Sequence, residues 1–292
     1  MSKPAPITAD TIRAHLPRDC AGFFSVSVED TVPSTNTALK AAAADGAPSG
    51  TVLIARRQSA GRGRLGRTFL SPENTGLYMS VLLRPAMRAE DALFLTTCTA
   101  VACAEAIDAI RHAAGIPTNP AKIKWVNDIY LFDRKVCGIL AEAGLSPDGS
   151  TLSYAVIGMG INLLPPQNGF PPELASTAGA VFSHSDTVTA DGNLLAAEIL
   201  RRLYAYLKMP ADRTYMDAYR SRSLLDGREI LVRPASSVGD TEIPATALGI
   251  DDRAGLRVRY ADGTEETLRS GEVVIGNSVQ NARASVHLRE KP

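Results

Sequence analysis

Leu77, Met79, Val81 and Leu83 alternate with other positions in "GLYMSVLLRP", a period of two that predicts a strand with those four side chains on one face. Similar reasoning places strands at 22–36, "GFFSVSVEDTVPSTN", which ends in a polar turn, and at 50–58, "GTVLIARRQ", with its β-branched centre. Between them "NTALKAAAADG" predicts a helix, with Ser34 or Thr35 as its cap and Gly46 as its stop. Residues 90–114 form a long apolar helix ended by Gly115. Three strand-like segments follow at 122–132, 135–145 and 152–163, with "DRK" marking a hairpin between the first two. A proline-rich loop leads to helices at 194–208 and 213–223. Strands that come in runs predict an α+β fold, a mixed or antiparallel sheet with helices packed against it. From about Leu225 the texture changes to short strands joined by Gly and Asp turns, which predicts a small β-barrel-like module. The expected division is a loosely attached lead-in at 1–20, a main domain at 21–224 and a C-terminal domain at 225–290.

Composition narrows the chemistry. The 292 residues are 45% hydrophobic and 21% charged, with a formal net charge of zero. That balance supports a sizeable core and excludes a global basic field for nucleic acid, so electrostatic work must be local. Cys20, Cys98, Cys103 and Cys137 are scattered, form no C-x-x-C pair and have no histidine at metal-ligand spacing, which fits free thiols in a reducing compartment. "MSKPAPITAD" has no apolar signal core, and no uninterrupted apolar run approaches about 18 residues, so a cytoplasmic protein without a membrane span is expected.

The candidate chemistry begins at "GRGRLGRTF", residues 61–69. Gly61, Gly63 and Gly66 satisfy G-x-G-x-x-G, and Gly61–Thr68 nearly matches a P-loop with Arg67 in place of lysine. Both devices need a helix to start at the loop so that its N-terminus meets the phosphate. "RTFLSPENTG", punctuated by Pro72 and Gly76, leads into a strand instead, so neither device fits. What remains is a loop in which Arg56, Arg57, Arg62, Arg64 and Arg67 occur without an acid. A solvated basic loop is the ordinary fate of such a run, but the interleaved glycines permit close backbone approach to a ligand and favour a mobile lid over a polyanionic small molecule. A second polar cluster, Lys122, Lys124, Asn127, Asp128 and Lys135, surrounds the single tryptophan on paired strands.

Together these stretches resemble the biotin protein ligases. The matching motifs are "STN" at 34–36, "QSAGRGRLGRTFLSP" at 58–72, "KWVND" at 124–128, "DRKVCGIL" at 133–140 and "GMGIN" at 158–162, in the family's order over residues 25–165. The C-terminal module, with "GEV" at 271–273, is similar to the family's SH3-like cap. The resemblance implies a class II synthetase-like catalytic domain and a two-step reaction. Biotin and MgATP give biotinyl-5′-AMP, and the biotinyl group passes to one lysine of a biotin carboxyl carrier protein domain. It assigns Ser34, Thr35, Asn36, Gln58, Gly61, Arg62 and Gly63 to the polar end of biotin, with Gly158 and Gly160 letting the sheet approach the ligand's rings. Lys135 and Arg64 serve the carboxylate and α-phosphate, and Arg67, Lys124, Asn127, Asp128 and Asn162 the ATP side. The catalytic set is Lys135, Arg64, Arg67, Lys124 and Asp128, and Mg²⁺ travels on the ATP phosphates with Asp128 as its candidate protein contact.

The chain departs from the family pattern at Val126, where proline is common, at Phe69, where tryptophan is frequent, and at Gly76, where asparagine is usual. About 25 residues precede the first strand, so no DNA-binding helix-turn-helix is expected, and either a monomer or a homodimer fits. A lipoate–protein ligase, with the same adenylation logic, and a non-catalytic nucleotide-binding module are the alternatives.

Overall fold

The computed structural model of the chain describes residues 5–117, 119–186, 190–208, 214–233 and 242–275. Its main body is a seven-stranded sheet in the order β1-β2-β3-β7-β6-β5-β4. The strands are β1 (Ser25–Val32), β2 (Thr51–Gln58), β3 (Gly76–Leu83), β4 (Lys122–Lys124), β5 (Asp128–Leu131), β6 (Arg134–Leu145) and β7 (Leu152–Asn162). β1 runs parallel to β2, and every other pairing in this sheet is antiparallel. The parallel pair has a crossover helix, α3 (Thr35–Ala44), as a parallel connection requires. Ser34 caps α3 by accepting from Thr37 N, and Gly46 leaves it with φ +86°.

The pairing register sorts the sheet into two faces. Ile54, Met79, Met159 and Ile139 stand opposite one another across four strands and are buried together. On this face lies α4 (Leu93–Ala113), with α5 (Gly192–Lys208) and α6 (Tyr215–Ser221) packed on it. The adjacent row reads Ala55, Tyr78, Gly160, Gly138 and Asp128, and the next one Leu53, Ser80, Gly158 and Leu140. α3 covers only one end of this second face, through Leu39, Ala43, Leu53, Leu82 and Val156. The small residues beyond α3 leave a hollow over the sheet.

Three expectations change in the folded chain. The N-terminal residues are tied in: α1 (Ala9–His15) and α2 (Arg18–Phe23) bury Ile12, Leu16 and Cys20, and Thr8 N donates to Asn193 Oδ1 at 2.8 Å. The segment 122–132 is a hairpin rather than one strand, because Trp125–Asn127 turn between β4 and β5, so Asn127 leaves the strand. Finally, the segment Ala89–Ala113 is long and apolar enough to cross a membrane by length and composition, since scattered polar residues interrupt its runs without lowering its mean hydropathy of 1.6 below a span's. Of its apolar 18-residue window 78% is buried inside the protein, as in a core helix.

The C-terminal strands β8 (Glu229–Arg233), β9 (Ile243–Ile250), β10 (Leu256–Tyr260), β11 (Glu265–Leu268) and β12 (Glu272–Val274) form an antiparallel sheet in the order β11-β10-β9-β8-β12. Residues 276–290 of the expected C-terminal domain lie outside the described residues. The two sheets meet at the β4–β5 turn, where Trp125 Nε1 donates to Ala254 O at 2.9 Å.

Candidate active site

The hollow over the second face is a cavity of about 340 Å³. Its neutral end is built by α3 and the strands beneath it. Ser34, Thr35 and Asn36 are all buried at the start of α3, and Ser80 is fully buried under them on β3. Thr35 N donates to Gln58 Oε1 at 2.9 Å, and Gln58 Nε2 to Ser71 Oγ at 2.9 Å. Ser80 Oγ lies 2.7 Å from Asn36 Oδ1 and 2.6 Å from Thr35 Oγ1, and its one proton serves one of them at a time. Such a network leaves fixed amide and hydroxyl dipoles around a small polar head group without placing a net charge there.

The glycine–arginine stretch forms the roof. It folds as a small hairpin: Phe69 N donates to Gly61 O at 2.9 Å, Gly63 N to Arg67 O at 2.7 Å, and Arg62 bridges Thr68. A 3₁₀ turn at Arg64–Gly66 makes the tip, with Leu65 at φ 55° and Gly66 at φ +74°. Gly61 does not line the cavity; a Cβ there would sit 2.3 Å from Phe69 O, so this glycine lets the hairpin's legs close up. The arginines are bound to three different parts of the molecule. Arg62 reaches Glu142, and Arg64 donates to Asn127 Oδ1 and Gly271 O, both at 3.0 Å. Arg67 holds Glu272 of β12 through both guanidinium nitrogens, at 2.5 and 2.7 Å.

The charged end lies under this roof. Lys135 Nζ pairs with Asp128 Oδ1 at 2.7 Å, although that oxygen lacks hydrogen-bond geometry to any donor. Burial drives the pKa of Lys124 below its ordinary 10.5, against the raising effects of Asp128 and Glu272. Burial raises the Glu272 carboxyl, but the hydrogen bond and charge of Arg67, with Lys124 and Arg233, outweigh it and hold it below the usual range. Burial, then Asp128 and Glu272, raise the Tyr130 phenol, so it stays protonated.

The fold therefore brings all the expected site residues except Gly61 to one cavity wall. Two of the glycines also have close protein neighbours. A Cβ on Gly158 would lie 2.1 Å from Asn36 Oδ1, and one on Gly160 2.6 Å from the Phe69 ring. These glycines admit protein side chains as well as lining the cavity. Asn127 and Asn162 also have structural duties, donating to Ile139 O at 2.8 Å and Gly179 O at 2.9 Å. Sequence reasoning missed Ser80, Glu142 and the side chain of Glu272. Ser80 had a signal, as the one small polar side chain in an apolar strand, whereas a single glutamate in an alternating strand has none.

The model of the biotin/lipoate A/B protein ligase family matches residues 28–162. The chain is 36% identical over 185 residues to the bifunctional ligase/repressor BirA of Bacillus spizizenii, covering 63% of this chain and 54% of that relative. The chain thus spans about half the length of the Bacillus relatives it matches. With the biotin–[acetyl-CoA-carboxylase] ligase of Paracoccus denitrificans it shares 31% identity over 77% of this chain and 90% of the relative. Among solved structures, the biotin protein ligase from Aquifex aeolicus in complex with biotin and ATP superposes with a TM-score of 0.65 at 28% identity, covering 86% of this chain and 97% of that one.

Proposed function

The chain belongs to the biotin/lipoate A/B protein ligase family, and from that membership we propose that it is an ATP-dependent biotin–protein ligase. The observation that carries the reading is the polarity of the cavity, neutral dipoles at one end and convergent cations at the other. A ureido group asks for the first and a carboxylate meeting a triphosphate asks for the second. In this reading residues 21–224 bind both substrates, the strands β8–β12 form an SH3-like cap that contributes Glu272, and the enzyme works in the cytoplasm.

The first step is attack of the biotin carboxylate on the α-phosphorus of ATP, breaking the bond to pyrophosphate. Two anions must approach. At an effective dielectric of about 20, unit charges about 4 Å apart repel by about 4 kcal/mol. Lys135, Arg64, Arg67 and Lys124 supply the opposing charge, with the planar guanidinium groups suited to bidentate contact with phosphate oxygens. Mg²⁺ would neutralise phosphate charge when bound. The buried, hydrogen-bond-free Asp128 Oδ1 is suited to face it, although no cluster of three candidate ligands occurs among the described residues. In the second step the ε-amine of a carrier-domain lysine attacks the acyl carbon and AMP leaves. The roof hairpin keeps water from the mixed anhydride until then.

ATP–pyrophosphate exchange with biotin, with lipoate and with neither tests this. Exchange that depends on biotin is expected. Dependence on lipoate would move the chain to the lipoate branch of the family, and exchange with neither acid would leave a nucleotide-binding module.

A further inference from the structure

Glu142 is absent from the cavity wall, yet it joins three elements of the site. It lies on β6 at an alternate position from Gly138 and Leu140, so it shares their face of the sheet just beyond the cavity. Its side chain is 17% exposed. Arg62, at the foot of the roof hairpin, donates from one guanidinium nitrogen to both carboxylate oxygens, at 2.9 and 3.1 Å. Asn36 Nδ2 donates to Glu142 Oε2 at 3.1 Å and to Leu140 O at 3.0 Å. Lys40, one turn along α3, donates to Oε1 at 2.7 Å. Burial pushes the carboxyl up, but the hydrogen bonds from Lys40 and Asn36 and the charges of Arg62 and Lys40 prevail, so it stays ionised below the usual carboxylate range.

From Asn36 the contacts run on through Ser80, Thr35, Gln58 and Ser71 to Phe69 O, the last at 3.0 Å. The polar network under the cavity therefore meets the roof hairpin twice, at Phe69 through neutral groups and at Arg62 through one acid. Arg64 and Arg67 hold groups on the ATP side, the side where an incoming polyanion competes for them. Arg62 lines the cavity at the biotin end, but the acid that it holds stands outside the lining, away from the phosphate side. We propose that Glu142 is a positioning residue: its carboxylate pins the foot of the hairpin to Asn36, so that the roof stays registered on the biotin end while Arg64 and Arg67 exchange their partners for phosphate. This rests on the function proposed above for the same cavity.

Glu142→Gln keeps the side chain's shape but removes the charge that Arg62 and Lys40 share. Three variants, Glu142→Gln, Arg62→Gln and Lys40→Ala, separate anchoring from plain stabilisation, because the Lys40 side chain pairs with the same acid but holds neither the hairpin nor the Asn36 side chain. The first readout is thermolysin cleavage before Leu65 in the ligand-free protein, at a bond every variant retains. Glu142→Gln and Arg62→Gln are each expected to speed cleavage about tenfold, the factor that about 1.4 kcal/mol of lost contact produces, and the double variant adds nothing further. Lys40→Ala stays within about twofold of the native chain by the same scale. The second readout is ATP–pyrophosphate exchange. There the KM for biotin rises about tenfold in Glu142→Gln, while the KM for ATP and kcat change by less than about twofold. Cleavage and biotin KM near native values in Glu142→Gln, or equal effects from Lys40→Ala, would overturn the proposal. A native chain that shows no biotin-dependent exchange would sink the functional reading alone, since the cleavage comparison decides the anchor without any ligand.

Discussion

The two ends of the cavity recognise their guests by different physics. At the neutral end, Ser34, Thr35, Asn36 and Ser80 are buried; Ser80 bonds Thr35 and Asn36, Thr35 bonds Gln58, and Ser34 caps α3. A buried polar group without a partner costs about 1–3 kcal/mol, so this end is satisfied internally before any ligand arrives. At the charged end the cations stand on a hairpin and on strand ends. Arg67 is 58% exposed and rests on Glu272, and Lys135 rests on Asp128. These acids relieve cation–cation repulsion in the ligand-free chain and must give up their partners when a polyanion binds. One end is a fixed mould and the other an exchange of ion pairs.

If that contrast is right, the largest loss comes from the central cation. Lys135→Ala removes the charge nearest the joining point of the two anions, and biotin-dependent pyrophosphate exchange should fall by about 10²–10³ or more, as when a preorganised charge-stabilising donor is lost. Biotin affinity by titration calorimetry should change far less, because the mould is intact. An equal collapse of both would mean that the ends are not separable. Next in size is damage to the mould. Gly158→Ala drives a methyl group to within 2.1 Å of Asn36 Oδ1, and the buried asparagine must shift. Overpacking of this kind costs about 1–3 kcal/mol, so thermal unfolding should drop and biotin binding should weaken by about tenfold or more, with ATP binding little altered.

How much of this was legible beforehand follows the same divide. The mould's residues, Ser34, Thr35, Asn36 and Gln58, sit in local motifs whose helix cap and strand end are predictable from neighbouring residues. The alternation of Leu77, Met79, Val81 and Leu83 grouped the face of β3 that joins the main core, although both faces of this strand are buried. Partners brought together by long-range register could not be read. Glu142 meets Arg62 across 80 residues, and Glu272 meets Arg67 across 205. Likewise the glycines at 158 and 160 signalled close approach, but not that the approaching atoms belong to Asn36 and Phe69. The turn at Trp125–Asn127 escaped notice because nothing in "KWVND" is a turn former until its asparagine.

A smaller, kinetic effect is expected at the hairpin tip. Arg64 ties the roof to Asn127 and to Gly271 O, so Arg64→Ala should loosen the lid while leaving Lys135 and the mould in place. Adenylate synthesis should fall by about tenfold, a charge-assisted contact's worth. The sharper sign is leakage, measured as free biotin and AMP released per carrier lysine modified, together with stray labelling of other lysines. Equal loss of both half-reactions with no leakage would deny the tip a sealing role.

The smallest effect concerns when the exchange of ion pairs works at all. Burial of Lys124 lowers its pKa from the ordinary 10.5, so it loses its charge earlier than a free lysine as pH rises. Its help to an incoming triphosphate is complete below that depressed pKa and fades above it. In the free enzyme, kcat/KM for ATP should therefore fall on the alkaline side earlier than an ordinary lysine requires. In Lys124→Arg the guanidinium keeps its charge, so the alkaline limb should move to higher pH, even if the bulkier side chain lowers the plateau by a few fold. The biotin side has no such titrating cation in its mould, and its KM should be flat across the same range in both proteins. An alkaline limb that stays put in Lys124→Arg would remove Lys124 from the phosphate exchange and leave the charged end to Arg64, Arg67 and Lys135.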